Sequence, residues 1–172
     1  MKVGNGIACG TILGTSKALN CCAHTKAFES TEKTKFYSGG EGGELFMHEG
    51  APFPGQGHLV DRFPGDYINA IAICDESHRL FVGLSSKKLL VYDSETMEKV
   101  CEVDEAHQKG IYSIRVTPAG HEASILSCSA DNTIKMWKMN EESKQLTELA
   151  TIQQFEGAEE STERQLVNFI CF

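Results

Sequence analysis

SADNTIKMWK, residues 129–138, contains the only tryptophan of the chain, six residues after Asp131. A small, polar turn at its start leads into alternating apolar and polar side chains, which predicts a β-strand with one buried face. The apolar run ILSCS (125–129) precedes the turn, so the whole reads as a hairpin. A hairpin can stand alone or be one unit of a repeating architecture, and the rest of the chain decides between the two.

Two other stretches share the pattern. FYSGGEGGELFMHEG (36–50), FVGLSSKKLLVYDSE (81–95) and ILSCSADNTIKMWKM (125–139) each have a short apolar run, a small or polar turn and a second strand ending in an aromatic or histidine. Superposed, they bring His48, Tyr92 and Trp137 to one position and Gly42, Ser86 and Asp131 to another, six residues earlier. A second set of strands surrounds the hairpins: LNCCAHT (19–25), INAIAIC (68–74), IYSIRVT (111–117) and LVNFICF (166–172), with starts 49, 43 and 55 residues apart. A four-stranded propeller blade repeats every ~40–45 residues. Outer strands are expected at 98–103 and 145–155, and residues 7–13 read as the counterpart for the first hairpin. No segment sustains helical spacing. The expected fold is all-β: a partial β-propeller of about three four-stranded antiparallel blades plus flanking strands. Its approximate units are 14–64, 65–105 and 106–156, with 164–172 as the first strand of a next blade.

Composition narrows the functional classes. The chain has 172 residues, 41% hydrophobic and 23% charged, which places it among globular proteins. Its net charge of −8 argues against a nucleic-acid binder, which needs a basic footprint. The seven cysteines, at 9, 21, 22, 74, 101, 128 and 171, are odd in number and form no CxxC pair, so neither a disulfide framework nor a zinc site is expected. Cysteines set in apolar runs fit a reducing, intracellular compartment. VGNGIACGTILGTS (3–16) lacks the continuous apolar stretch of a secretory signal, and no run approaches the ~18 apolar residues of a membrane span.

Residues 106–139, AHQKGIYSIRVTPAGHEASILSCSADNTIKMWKM, resemble a WD repeat. In that family a histidine ahead of the innermost strand, a serine or threonine on the second, an aspartate in the next turn and a tryptophan on the third form a hydrogen-bonded set. The resemblance places these roles on His107, Ser127, Asp131 and Trp137. The indole N–H can only donate, and imidazole has two inequivalent nitrogens, so the four types can satisfy one another in a chain. Serine, histidine and aspartate together would otherwise suggest a hydrolase, but the expected position buries Ser127 within a sheet and no Gly-x-Ser-x-Gly elbow occurs. The first two repeats depart from the pattern. Thr15, Ser38, Gly42 and His48 fill the places in the first, and Pro64–Gly65, Val82, Ser86 and Tyr92 in the second. Neither can close the full set, and the second must rely on packing through Ile68, Ile71, Ile73, Phe81, Leu89 and Val91.

Further stretches, GTSKALN (14–20), FMHEGAPFPGQ (46–56), VYDSETMEKVCEV (91–103), AHQKGIYSI (106–114) and RQLVNFICF (164–172), are similar to the actin-interacting protein 1 family of WD-repeat proteins, partners of cofilin. The segment 49–53 matches that family's acidic-Gly-Pro-Pro-Phe-like blade end, and 92–100 its Tyr-Asp-x-x-Thr-x-Glu-Lys-Val-like one. The resemblance implies two seven-bladed propellers in the whole protein, of which this chain covers about three blades of the first. Seven blades need about 300 residues, so the resemblance predicts a fragment of a longer protein, or an assembly that covers its open sheet edges.

The implied activity is binding of actin filaments decorated by cofilin and promotion of their disassembly, in the cytoplasm at the cytoskeleton. No enzyme activity, cofactor, nucleic acid or membrane is expected. The glycines of GNGIACG (4–10) are in the wrong order for a nucleotide loop, and there is no GxxxxGK[ST], HxH or HExxH. The alternative is a WD-repeat scaffold for another intracellular complex. Candidate partner contacts lie just before or inside the first strand of each blade: Asn20, Asn69, Lys109 and Tyr112. The acids of 156–163 read as a solvated loop.

Overall fold

A computed structural model describes residues 17–25, 34–49, 57–117 and 124–153. They form three four-stranded antiparallel sheets. The first runs β1 (Leu19–His24), β2 (Lys35–Gly40), β3 (Glu44–Glu49) and β4 (His58–Arg62). The second runs β5 (Ile68–Cys74), β6 (Arg79–Leu84), β7 (Leu89–Asp93) and β8 (Lys99–Val103). The third runs β9 (Ile111–Thr117), β10 (Ser124–Ser129), β11 (Thr133–Asn140) and β12 (Gln145–Gln153). In each sheet, spatial order follows chain order, and β5 lies between β1 and β9. No helix occurs among the described residues.

The all-β, partial-propeller expectation therefore stands. Among the described residues the outer strand of the first sheet is β4, which follows its hairpin as β8 and β12 follow theirs. The strand expected at 7–13 lies outside the described residues, as do 166–172 and 156–163. β4 reads HLVDR, three of its five residues polar and only Val60 and Asp61 partly buried, so its apolar signal is weak.

Packing explains the differing sequence patterns. Tyr37 and Leu45 of the first sheet meet Ile68, Leu80, Val82, Leu84, Leu90 and Tyr92 of the second. From its other face the second sheet sends Phe81, Leu89 and Val91 to meet Ile111, Ile114, Ile125 and Trp137 of the third. The second sheet is thus covered on both faces. That is why RLFVGL and LLVYD are near-continuous apolar runs and not alternating ones. β12, on an outer edge, is exposed along almost its whole length and reads polar.

Two glycines set the spacing between sheets. A Cβ on Gly39 would lie 2.6 Å from Ile68 Cγ2, and one on Gly83 would lie 2.7 Å from Ile111 Cγ2. At equivalent places on two successive sheets, therefore, a missing side chain admits the first residue of the next sheet's innermost strand.

The β2–β3, β6–β7 and β10–β11 turns share one end of the stack, called here the upper end, with the segments leading into β1, β5 and β9. Positive φ angles at Gly43 (70°), Lys87 (79°) and Asn132 (63°) tighten these turns. At the lower end Asp93 and Asn140 play matching parts. Asp93 Oδ1 accepts from the Glu95 and Thr96 N–H groups, and Asn140 Oδ1 from those of Glu142 and Ser143.

Candidate partner-binding face

The third sheet brings His107, Ser127, Asp131 and Trp137 together. Trp137 Nε1 donates to Ser127 Oγ at 2.8 Å, and Ser127 Oγ lies 2.7 Å from His107 Nε2. His107 Nδ1 is 3.0 Å from Asp131 Oδ2. Since indole only donates, the Ser127 hydroxyl proton is left for Nε2, which makes His107 a neutral ring with its proton on Nδ1, facing Asp131. Burial pushes the His107 imidazole below its ordinary value, against the opposing pull of Asp131. Burial would raise the Asp131 carboxyl, but the Thr133 hydroxyl, the Gln108 N–H and His107 outweigh it and hold the carboxyl low.

Thr133 belongs to this set although sequence reasoning missed it. Its hydroxyl donates to Asp131 Oδ1 at 2.6 Å and lies 3.0 Å from His107 Nδ1. A hydroxyl residue two places after a turn aspartate is the signal, since both its N–H and its O–H can reach back to the carboxylate.

The other sheets are held differently. In the first, Ser38 Oγ and His48 Nε2 are 3.2 Å apart, while Thr15 lies outside the described residues. In the second, Val82 takes the serine place and is buried. Its Tyr92 hydroxyl instead donates across to Asp61 Oδ2 of the first sheet at 2.6 Å. In the reverse direction, Tyr37 donates to the Ser94 carbonyl at 3.1 Å and Lys35 Nζ to the same oxygen at 3.0 Å. The sheets without the full set are therefore bonded to each other. Sequence inspection gave no sign of this, because the partners are 31 to 59 residues apart.

At the upper end, each innermost strand carries one register irregularity at its start. Leu19 and Cys21 pair with Gly40 and Gly39, Ile68 and Ala70 with Leu84 and Gly83, and Ile111 and Ser113 with Ser129 and Cys128. The residues left out of register are Asn20, Asn69 and Tyr112. A bulge releases one residue from the ladder and re-aims its side chain. Asn20 Nδ2 reaches the Ile68 carbonyl at 3.3 Å and Asn69 Oδ1 at 3.4 Å, so these two are joined. Tyr112 is 52% exposed. Lys109 is exposed, and its carbonyl accepts from Ser129 Oγ at 3.1 Å.

Tyr67 adds a residue that sequence reasoning passed over. It is 47% exposed, just ahead of β5. Its N–H donates to Asp66 Oδ1 at 2.8 Å, and its carbonyl accepts from Ser85 N. The Ser85 hydroxyl in turn donates to Asp66 Oδ1. The Ser85 carbonyl sits 2.9 Å from where a Gly110 Cβ would be. This contact connects the Tyr67 segment to the one carrying Lys109 and Tyr112. An aromatic directly preceding an apolar strand was the available signal.

The WD domain, G-beta repeat family model matches residues 98–138, from the end of the β7–β8 turn through most of β11. Residues 98–138 thus match a WD repeat. The chain is similar to WD repeat-containing protein 1 of Bos taurus, 27% identical over 138 residues, which cover 79% of this chain and 22% of that protein. It is likewise similar to the Mus musculus protein of that name, 28% identical over 137 residues, covering 78% of this chain and 21% of the relative. The chain thus spans about a fifth of the length of the curated relatives it matches. Among solved structures, the RRP9 WD40 repeats superpose with a TM-score of 0.65 at 15% identity, over 83% of this chain and 40% of that one. That likeness is one of fold, a partial and unclosed propeller.

Proposed function

We propose that this chain is a non-catalytic protein-binding segment of a propeller whose upper end contacts actin filaments decorated with cofilin and promotes their disassembly. The observation that carries the reading is the row of three bulges displaying Asn20, Asn69 and Tyr112 beside Lys109 and Tyr67. A rigid sheet stack that aims side chains from fixed backbone positions suits recognition. The filament as partner rests on the resemblance of segments 14–20, 46–56, 91–103 and 164–172 to the actin-interacting family, and on the similarity to WD repeat-containing protein 1. Disassembly requires a partner that binds the strained or severed filament more tightly than the intact one.

The units 14–64, 65–105 and 106–156 serve in this reading as successive blades, with further blades or an edge-covering assembly completing the ring. The place of action is the cytoplasm, at the cytoskeleton. The test is co-sedimentation with actin filaments, with and without cofilin. Cofilin-dependent loss of pelleted actin is expected. Unchanged pelleting in both conditions would leave the alternative, a WD-repeat scaffold for a different intracellular complex.

A further inference from the structure

Two lysines at the upper end differ from the other cations. Lys35, Lys88, Lys99, Lys135, Arg62 and Arg79 each lie within ion-pair distance of a carboxylate. Lys87 and Lys109 are exposed, and neither side chain has a partner among the described residues. Lys144 also lacks one, but at the lower end. Lys87 is in the β6–β7 turn and Lys109 on the segment leading into β9. These two pieces touch, since the Ser85 carbonyl lies 2.9 Å from where a Gly110 Cβ would be. The Ser85 N–H donates to the Tyr67 carbonyl at 2.9 Å. Tyr67 and Tyr112, both half-exposed, therefore belong to the same joined segments as the two lysines, where the second sheet meets the third.

The Lys87 backbone is an independent sign. Its φ of 79° is the largest among the non-glycine described residues at positive φ. The equivalent places in the other two turns hold Gly43 and Asn132, residue types that enter this region at low cost. Lysine has no such ease, and the Lys87 side chain makes no bond that holds the turn. A residue kept against its backbone preference points to a use for its side chain outside the fold. The nearby acids are mostly engaged. Asp66 accepts from the Tyr67 and Ser86 N–H groups at 2.8 and 3.0 Å, Asp104 pairs with Lys88 at 2.6 Å, and Asp131 accepts from the Gln108 N–H at 2.8 Å. On these segments Glu105 is the one acid without a partner among the described residues, against Lys87 and Lys109. The uncommitted charge here is positive, on a chain of net charge −8.

We propose that Lys87 and Lys109 receive an acidic segment of the protein partner, with the Tyr67 and Tyr112 rings beside them taking its uncharged atoms. This rests on the reading of the upper end as the partner-binding face, and it names the chemistry of the segment met there: one or two carboxylates next to an uncharged stretch. Two lysines suit a pair of carboxylates, whereas a nucleic-acid backbone calls for a broad basic footprint that this chain lacks. Exposed charges of this kind steer the approach and select the partner, while the aromatic side chains supply contact area.

The test is co-sedimentation of the full chain with cofilin-decorated actin filaments over a salt series, paired with urea denaturation of each variant. Lys87→Gly is expected to raise the urea midpoint, because glycine suits the turn, and to weaken binding by about 5-fold. Lys109→Glu weakens it by about 10-fold. The affinity of the unaltered chain falls as salt is raised, and more shallowly in both variants. A lysine that only held its turn would lose stability and binding together, so a lower midpoint in Lys87→Gly overturns the proposal. Wild-type affinity in both variants, or an affinity of the unaltered chain that ignores salt, overturns it as well and leaves the upper-end reading in place. No association of the unaltered chain at any salt removes that reading and this proposal with it.

Discussion

Ser127 Oγ stands between Trp137 Nε1 at 2.8 Å and His107 Nε2 at 2.7 Å, fully buried within the third sheet. One hydroxyl accepts from the indole and donates to the imidazole, so it satisfies two buried nitrogens at once. Ser127→Ala strands both. It is expected to lower unfolding free energy by roughly 2–4 kcal/mol, more than the ~1 kcal/mol of an average hydrogen bond, because each orphaned buried group carries a desolvation cost. Urea denaturation followed by tryptophan fluorescence measures it; a loss within error of zero means the set does not hold the sheet.

The same set makes stability depend on pH. His107 and Asp131 both have folded values held below their ordinary ones, His107 by burial and Asp131 by the bonds that outweigh its burial. In a folded protein whose histidine resists protonation, the unfolded chain binds more protons below its own value near 6.5. The His107 contribution is therefore complete above about pH 7 and declines as pH falls through ~6.5 toward the folded value. Asp131 adds a second decline in the acid range, below about pH 4. His48 acts in the same direction as His107, through burial and then the nearby His58. Urea midpoints between pH 5 and 8 should fall toward the acid side, and His107→Gln should flatten that slope. A slope unchanged by the substitution would remove His107 as its source.

Tyr92→Phe tests the bond that joins the first two sheets. Asp61 Oδ2 loses its phenol donor, and a hydrogen bond to a charged group contributes about 1.5–3 kcal/mol. Burial, and then the Asp61 bond, push the Tyr92 hydroxyl far above the ordinary tyrosine range. Spectrophotometric titration of the wild type should show Tyr92 ionising only as the fold opens. Equal urea midpoints for Tyr92→Phe and wild type would show that packing alone suffices.

Gly83→Val fills the place into which Ile111 fits, where even a Cβ would come within 2.7 Å of Ile111 Cγ2. Overpacking of this kind costs about 1–3 kcal/mol. Gly65→Ala meets nothing within 4 Å but sits at φ +81°, so it tests backbone strain without crowding. Thermal melts of the two should separate steric from conformational loss, with Gly83→Val the more damaging.

Tyr112→Ala removes a half-exposed side chain at a bulge. Surface changes of this kind stay within about 0.5 kcal/mol of wild type. Binding to cofilin-decorated filaments is expected to weaken while the melting curve is retained. A large drop in stability would instead show that Tyr112 packs as core.

The hairpins were legible because turn chemistry and strand alternation are local. ILSCSADNTIKMWKM carries its own turn, and the family resemblance placed four residues that the third sheet does bring together. β4 was not legible: HLVDR earns its place by pairing with β3, a tertiary effect its own side chains barely signal. Tyr92 lay at the tryptophan position in the repeat alignment, yet its hydroxyl bonds a carboxylate on the neighbouring sheet. No pattern within one repeat can show a bond made between two. Tyr67 was missed for a different reason, since a single aromatic before an apolar strand looks like part of that strand until its exposure is known.

The three matching bulges have a consequence for how such a surface can change over time. Asparagine stands at two of them and tyrosine at the third, on a backbone that makes the same detour each time. The detour fixes where a side chain is shown and leaves open which one it is. Substitutions there can change the side chain on display while the interlocked glycines and isoleucines behind them stay constant, so the surface can drift in chemistry without the scaffold having to refold around it.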